Sequence, residues 1–131
     1  MTKFNPKKIL IVDDDILGIA TMAQTLLRNG YQIAHATDEE RAFKATKKDK
    51  ADLIICNCES KKLDVQQLLK SIQTVRPSPG IPCLLITESQ ASLNEEPGIL
   101  GPKRHLNRPF TREQLTIAVQ ENLKGLPLKK S

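Results

Sequence analysis

The chain has 131 residues, a formal net charge of +5, and one tyrosine and three phenylalanines as its only aromatic residues. That length suits a single domain, residues 1–131, with a core of its own and no staple of disulfides or metal. No apolar run is long enough to span a bilayer, and the polar start Met1–Lys8 is no secretory leader, so a cytoplasmic protein is expected.

The first element is Lys8-Ile9-Leu10-Ile11-Val12, a run of aliphatic residues leading straight into Asp13-Asp14-Asp15. An unbroken apolar run reads as a strand buried on both faces, the habit of parallel sheets. Carboxylates at its carboxyl end lie where open α/β folds hold ligands, and three adjacent negative charges call for a cation. Ile16, Ile19, Ala20, Ala23, Leu26 and Leu27 then recur at helical spacing up to the stop Asn29-Gly30, with Asp15 a candidate cap. Tyr31–Ala36 alternates as a second strand. Thr37, three residues before Glu40, predicts a capping box for a second helix carrying Ala42, Phe43 and Ala45.

Ala51–Cys58 is a third apolar run, and a third helix is expected from Leu63-Asp64 through Val65, Leu68, Leu69, Ile72 and Val75. Arg76-Pro77-Ser78-Pro79-Gly80 ends it, and Ile81–Thr87 is the fourth strand. Between Glu88 and Glu96 there is room for one or two helical turns, which Pro97-Gly98 and Gly101-Pro102 interrupt. His105–Asn107 is a short fifth strand. Thr111 and Gln114 stand at capping-box spacing before a last helix with Leu115, Ala118, Val119, Asn122 and Leu123. The core is thus expected over about 8–124, with 125–131 as a tail. Five strands alternating with helices predict an α/β domain with a mainly parallel sheet.

Three cysteines without framework spacing argue against secretion, and Cys56-Asn57-Cys58 lacks the two-residue spacer of a zinc site. Cys56 and Cys83 read as buried thiols, and Cys58 as the more accessible one.

Taken in order, Lys8–Asp15, Asn29-Gly30-Tyr31, Ala51–Asn57, Ile81–Thr87 and Leu106–Phe110 resemble the receiver domain of bacterial two-component response regulators, over nearly the whole chain. The resemblance implies a flavodoxin-like (CheY-like) three-layer sandwich with five parallel strands in the order 2-1-3-4-5, which gathers the ends of strands one, three, four and five. It also implies roles. Asp13 and Asp14 fall on the Mg²⁺-holding positions, with Asn57 and the Glu59 backbone completing a weak site. Thr87 and Arg108 fall on the positions that contact the phosphoryl group. Asn57 falls on the phospho-acceptor, normally an aspartate, and Arg108 on an expected lysine. The Arg108-Pro109 bond would be cis by the resemblance, although trans is the base rate for an X-Pro bond.

These departures matter chemically. A carboxylate oxygen is the nucleophile in forming an aspartyl phosphate, and an amide oxygen is not. Losing the third carboxylate weakens Mg²⁺ binding, so the cofactor is expected to be absent or weakly bound Mg²⁺. Arg108 brings a permanently charged fork suited to carboxylates, and is expected to bridge Asp13 or Asp14 and partly replace the metal. His105 stands at the family's switch aromatic, with Lys103 and Arg104 in place of an acidic pair. With a fourth helix expected to be shortened or remodelled, these three residues form the candidate partner surface.

The reading is therefore a degenerate, pseudo-receiver signalling domain, not an enzyme. It acts through a protein partner (a histidine kinase, another receiver or a regulated target) as a monomer or weak homodimer. A conventional receiver with an engineered Asp-to-Asn change is one alternative. A haloacid-dehalogenase-type phosphatase is another, since Ile11–Asp15 and Leu85–Thr87 are similar to that class's first motifs. It lacks an acidic pair after Thr87, Glu95-Glu96 preceding the basic motif rather than following it. A nucleic-acid binder, suggested by the isoelectric point of about 9.2, has no helix-turn-helix or aromatic platform behind it.

Overall fold

A computed structural model of the chain describes residues 6–61, 63–75, 80–88 and 105–124. In order these form β1 (Lys8–Val12), α1 (Ile16–Arg28), β2 (Gln32–Ala36), α2 (Glu39–Asp49), β3 (Leu53–Asn57), α3 (Val65–Val75), β4 (Cys83–Thr87), β5 (His105–Asn107) and α4 (Arg112–Leu123). The expected fourth helix, together with Lys103 and Arg104, lies outside the described residues.

The sheet runs β2-β1-β3-β4-β5, and every pairing is parallel. Alternate residues of the central strands feed two cores, one on each side. Leu10, Val12, Ile54, Cys56, Cys83 and Leu85 meet Ala42 of α2 and Leu68, Leu69 and Ile72 of α3. Ile9, Ile11, Ile55, Leu84 and Ile86 meet Ile19, Met22 and Leu26 of α1 and Leu115 and Val119 of α4. β3 and β4 are buried at every position, which explains why their sequences run apolar without alternation.

Several local expectations shift. The cap of α2 is Asp38, which accepts from the Arg41 backbone N–H, not Thr37. Aspartate is the stronger cap, and its neighbours Glu39 and Glu40 then occupy the first turn, where the helix dipole favours them. The buried stripe of α1 is Ile19, Met22, Thr25 and Leu26, while Ile16 and Leu27 face solvent at 68% and 56% exposure. Eight apolar residues spread around this helix, and only packing chooses among them. β2, β3 and β4 begin one or two residues later than their apolar runs suggest. The box at Thr111 and Gln114 forms with both of its hydrogen bonds.

Candidate functional site

Parallel strands of matched length end together. The register sets Val12 beside Cys56, Asn57 beside Ile86, and Thr87 beside Asn107. Asp13, Asn57, Thr87 and Arg108, spread over nearly a hundred residues, thus converge at one carboxyl edge.

Asp13 is the centre of the cluster and is fully buried. Its Oδ1 accepts from the Asp15 backbone N–H at 3.0 Å and from Asn57 Nδ2 at 3.1 Å. Its Oδ2 has no hydrogen-bond partner among the described residues, and lies 3.8 Å from an Arg108 guanidinium nitrogen. That separation makes an ion pair but not a hydrogen bond. On its other side Oδ2 faces Gly18: a Cβ at that position would stand 2.9 Å from it. The chain therefore carries a glycine in the first turn of α1, because the helix and the carboxylate approach too closely there for a side chain.

Asn57 is 8% exposed and uses both ends of its amide. While Nδ2 donates to Asp13, Oδ1 accepts from the Glu59 N–H at 2.9 Å and, at the long distance of 3.5 Å, from Arg108. Arg108 also approaches Glu88 at 3.9 Å. Its backbone N–H donates to the Thr87 carbonyl at 2.8 Å, and its peptide bond to Pro109 is cis. Thr87, fully buried, donates its hydroxyl to Asn107 Oδ1. Asp14 is half-exposed, and Asp15 caps α1 by accepting from the Leu17 N–H. The Arg108 ion pair thus falls on Asp13 rather than Asp14.

Three members of the cluster were not singled out from sequence. Glu88 follows directly on Thr87 at the strand's carboxyl end, and the positional logic that marked Asp13 would have found it. Asn107, at the end of β5, is reachable by the same route. Gly18 carries no sequence signal, because its role depends on how closely α1 lies over β1. His105 lies apart from this cluster, half-buried, with both ring nitrogens shielded from solvent and unpartnered. It lines a groove of about 480 Å³ with Leu106, Asn107, Gln114 and Ile117 between β5 and α4.

Behind the pocket, burial pushes the Cys56 thiol well above its ordinary range, with Cys83, Cys58 and Asp13 adding to the effect. Cys56 and Cys83 are buried, and Cys58 is partly exposed.

The model of the response regulator receiver domain matches residues 9–120. The chain belongs to that family. The receiver is 29% identical over 119 residues to the alkaline phosphatase synthesis transcriptional regulatory protein PhoP of Bacillus subtilis, covering 90% of this chain and 49% of that one. The chain spans about half the length of the curated relatives it matches. Among solved structures it resembles the chemotaxis response regulator CheY4 of Vibrio cholerae, with a TM-score of 0.78 at 25% identity over 88% of this chain and 98% of the other. The receiver domain of the sensor histidine kinase PA1611 from Pseudomonas aeruginosa, solved with a magnesium ion in its active site cleft, shares the fold at 21% identity and TM-score 0.78, covering 91% of this chain and 98% of that one. Receiver domains are in general signalling modules, and interact with histidine kinases or other proteins. The haloacid-dehalogenase alternative finds no support in these matches. Among the described residues no helix is long and apolar enough to cross a membrane.

The family implies a divalent cation at the carboxyl edge, and the residues present do not fit one well. At position 57 stands a neutral amide, and its nitrogen donates to one oxygen of the Asp13 carboxylate. The remaining oxygen of Asp13 already faces a guanidinium. Among the described residues no three acidic, histidine or cysteine side chains gather in a metal-holding group.

Proposed function

We propose that this receiver domain works in a two-component phosphorelay without being phosphorylated at the usual site, and that it acts by contact with a protein partner in the cytoplasm. The observation that carries the reading is Asn57, placed at the end of β3 with both ends of its amide engaged. A neutral amide there cannot attack phosphorus as a carboxylate does, because its oxygen carries no full negative charge and attack through it would leave an unstable imidate. With no nucleophile, control passes to binding, and a partner shifts such a domain only by preferring one of its states.

Support for a natural rather than an engineered departure is that Asn57 does not stand alone. Arg108 replaces the lysine, His105 the aromatic, and Lys103-Arg104 an acidic pair. A single engineered change leaves its surroundings in the family's pattern, and here several positions have moved together. Support for a protein-binding role includes Ile16 and Leu17, 68% and 77% exposed on the first turn of α1, beside the pocket. An adjacent exposed apolar pair is what a partner would cover.

Incubation with acetyl phosphate and Mg²⁺, followed by intact-mass measurement, tests the reading. The wild-type chain should gain no phosphoryl group, whereas the double variant Asn57→Asp with Arg108→Lys should gain one. A phosphoryl adduct on the wild type would overturn the proposal.

A further inference from the structure

We propose that Arg108 is a built-in counter-cation: its guanidinium takes over the electrostatic role of a divalent ion, so that the pocket keeps its shape without metal. The inference concerns the same pocket as the function proposed above, but rests on its charges rather than on its missing nucleophile.

A fully buried carboxylate must be compensated, because an isolated charge removed from water is strongly disfavoured. At Asp13 the compensation is unequal. Oδ1 has two N–H donors, while Oδ2 is shielded and accepts from none. Gly18 closes one side of Oδ2, and Arg108 stands 3.8 Å away on another. The same guanidinium reaches Asn57 Oδ1 at 3.5 Å and Glu88 at 3.9 Å. One cation extended from the end of β5 thus meets groups at the ends of β1, β3 and β4. A planar fork with five donors can face three acceptors in different directions, which a point-charge ammonium on a flexible stem does less well.

A bound metal would act on the same groups by other means. Mg²⁺ needs oxygen ligands at about 2.0–2.1 Å in near-octahedral array, and it retains water reluctantly given up. An ion on Asp13 Oδ2 would come close to the guanidinium, and the two positive charges would repel at a site screened little by solvent. Arg108 is only 29% exposed. For metal to enter, the arginine must swing away and break all three of its contacts. The two cations are therefore competitors for one carboxylate, and the tethered one has no entropy of association to overcome.

The test is a comparison of thermal melts of the wild-type chain, Arg108→Gln and Arg108→Lys, with 10 mM MgCl₂ against NaCl of equal ionic strength. The wild type should move by less than ~1 °C, since a ligand stabilises only in proportion to its occupancy of the native state. Arg108→Gln should melt lower without metal and recover by ~4 °C or more with it, its apparent Mg²⁺ affinity rising about tenfold as the repulsion is removed. Arg108→Lys, which keeps the charge but not the fork, should fall between. Equal Mg²⁺ stabilisation of the wild type and Arg108→Gln would overturn the proposal. So would an Arg108→Gln variant that melts with the wild type and ignores Mg²⁺.

Should Arg108→Gln not fold, Mn²⁺ titration of the wild type decides the matter. Micromolar Mn²⁺ that broadens the amide resonances of Asp13, Asp15 and Asn57 overturns the inference, and resonances left sharp up to millimolar Mn²⁺ support it. The two proposals fail separately. A phosphoryl adduct on the wild type removes the functional reading, while a Mg²⁺-stabilised wild type removes the counter-cation.

Discussion

In the interior of the sheet, Ile9, Ile11, Ile55 and Ile86 are fully buried and belong to one apolar cluster. A few residues further along, the same strands end in Asp13, Asn57 and Thr87, equally buried or nearly so, and each is held by named partners. Burial is similar in the two regions, but its consequences differ. An aliphatic side chain is satisfied by any neighbours that fill the space around it, so the interior tolerates exchanges of similar volume. A buried carboxylate is satisfied only by particular donors and charges, so a change in one member of the pocket alters what the others can do. Asn57 and Arg108 fit together in this sense: position 57 adds no negative charge to the pocket, and a tethered guanidinium faces Asp13.

The largest expected loss lies in the interior. Ile55→Ala removes a fully buried side chain between two strands and should cost about 3–4 kcal/mol in urea unfolding. If the two regions are independent, this variant should respond to Mg²⁺ as the wild type does. Arg108→Gln comes next, at about 2–3 kcal/mol, because it leaves the buried Asp13 charge without its cation, the loss being moderated by the partial exposure of Arg108. An effect below about 0.5 kcal/mol would place the pair among ordinary surface ion pairs and blur the contrast between pocket and surface.

Asn57→Ala should cost about 1–2 kcal/mol by removing one donor to Asp13 and the acceptor for the Glu59 N–H. It should leave the urea dependence of unfolding unchanged, since the surface exposed on unfolding barely differs. Thr111→Ala removes only a helix cap, for about 1 kcal/mol.

The smallest effect is a pH dependence. The Cys56 thiol is raised in the folded state, so its contribution to stability is complete below the thiol's unfolded value. It is lost as pH climbs from that value toward the folded one, because the unfolded chain releases the proton first. Stability of the wild type should therefore decline above about pH 9 more steeply than that of Cys56→Ala, in paired urea titrations. Parallel slopes would mean that the thiol ionises no less readily in the fold than in the open chain.

The carboxyl edge was legible because its residues sit at strand ends, where an apolar run gives way abruptly to Asp13, Asn57 or Thr87. Glu88 and Asn107 obey the same rule and were nonetheless passed over, since neither stands at a position that the family resemblance marks. The helices were legible by their stops and caps more than by their faces. Asn29-Gly30 ends α1 and Thr111 begins α4 as expected, yet the buried stripe of α1 was partly misplaced. A helix rich in apolar residues all round offers several stripes of similar hydrophobicity, and only the curvature of the sheet beneath it selects one.

Sequence alone determined the five parallel strands, their order through the resemblance, and the presence of asparagine at 57 and arginine at 108. These are matters of composition and local pattern, written residue by residue. The tertiary structure decided how they meet. It chose Asp13 over Asp14 as the partner of Arg108, turned the Asn57 amide nitrogen toward that carboxylate, drew in Glu88, and made Gly18 necessary by bringing α1 within reach of Asp13. The reason is that electrostatic and steric fit depend on distances of a few ångströms between residues far apart in the chain, and such distances exist only once the sheet and its covering helices have been packed.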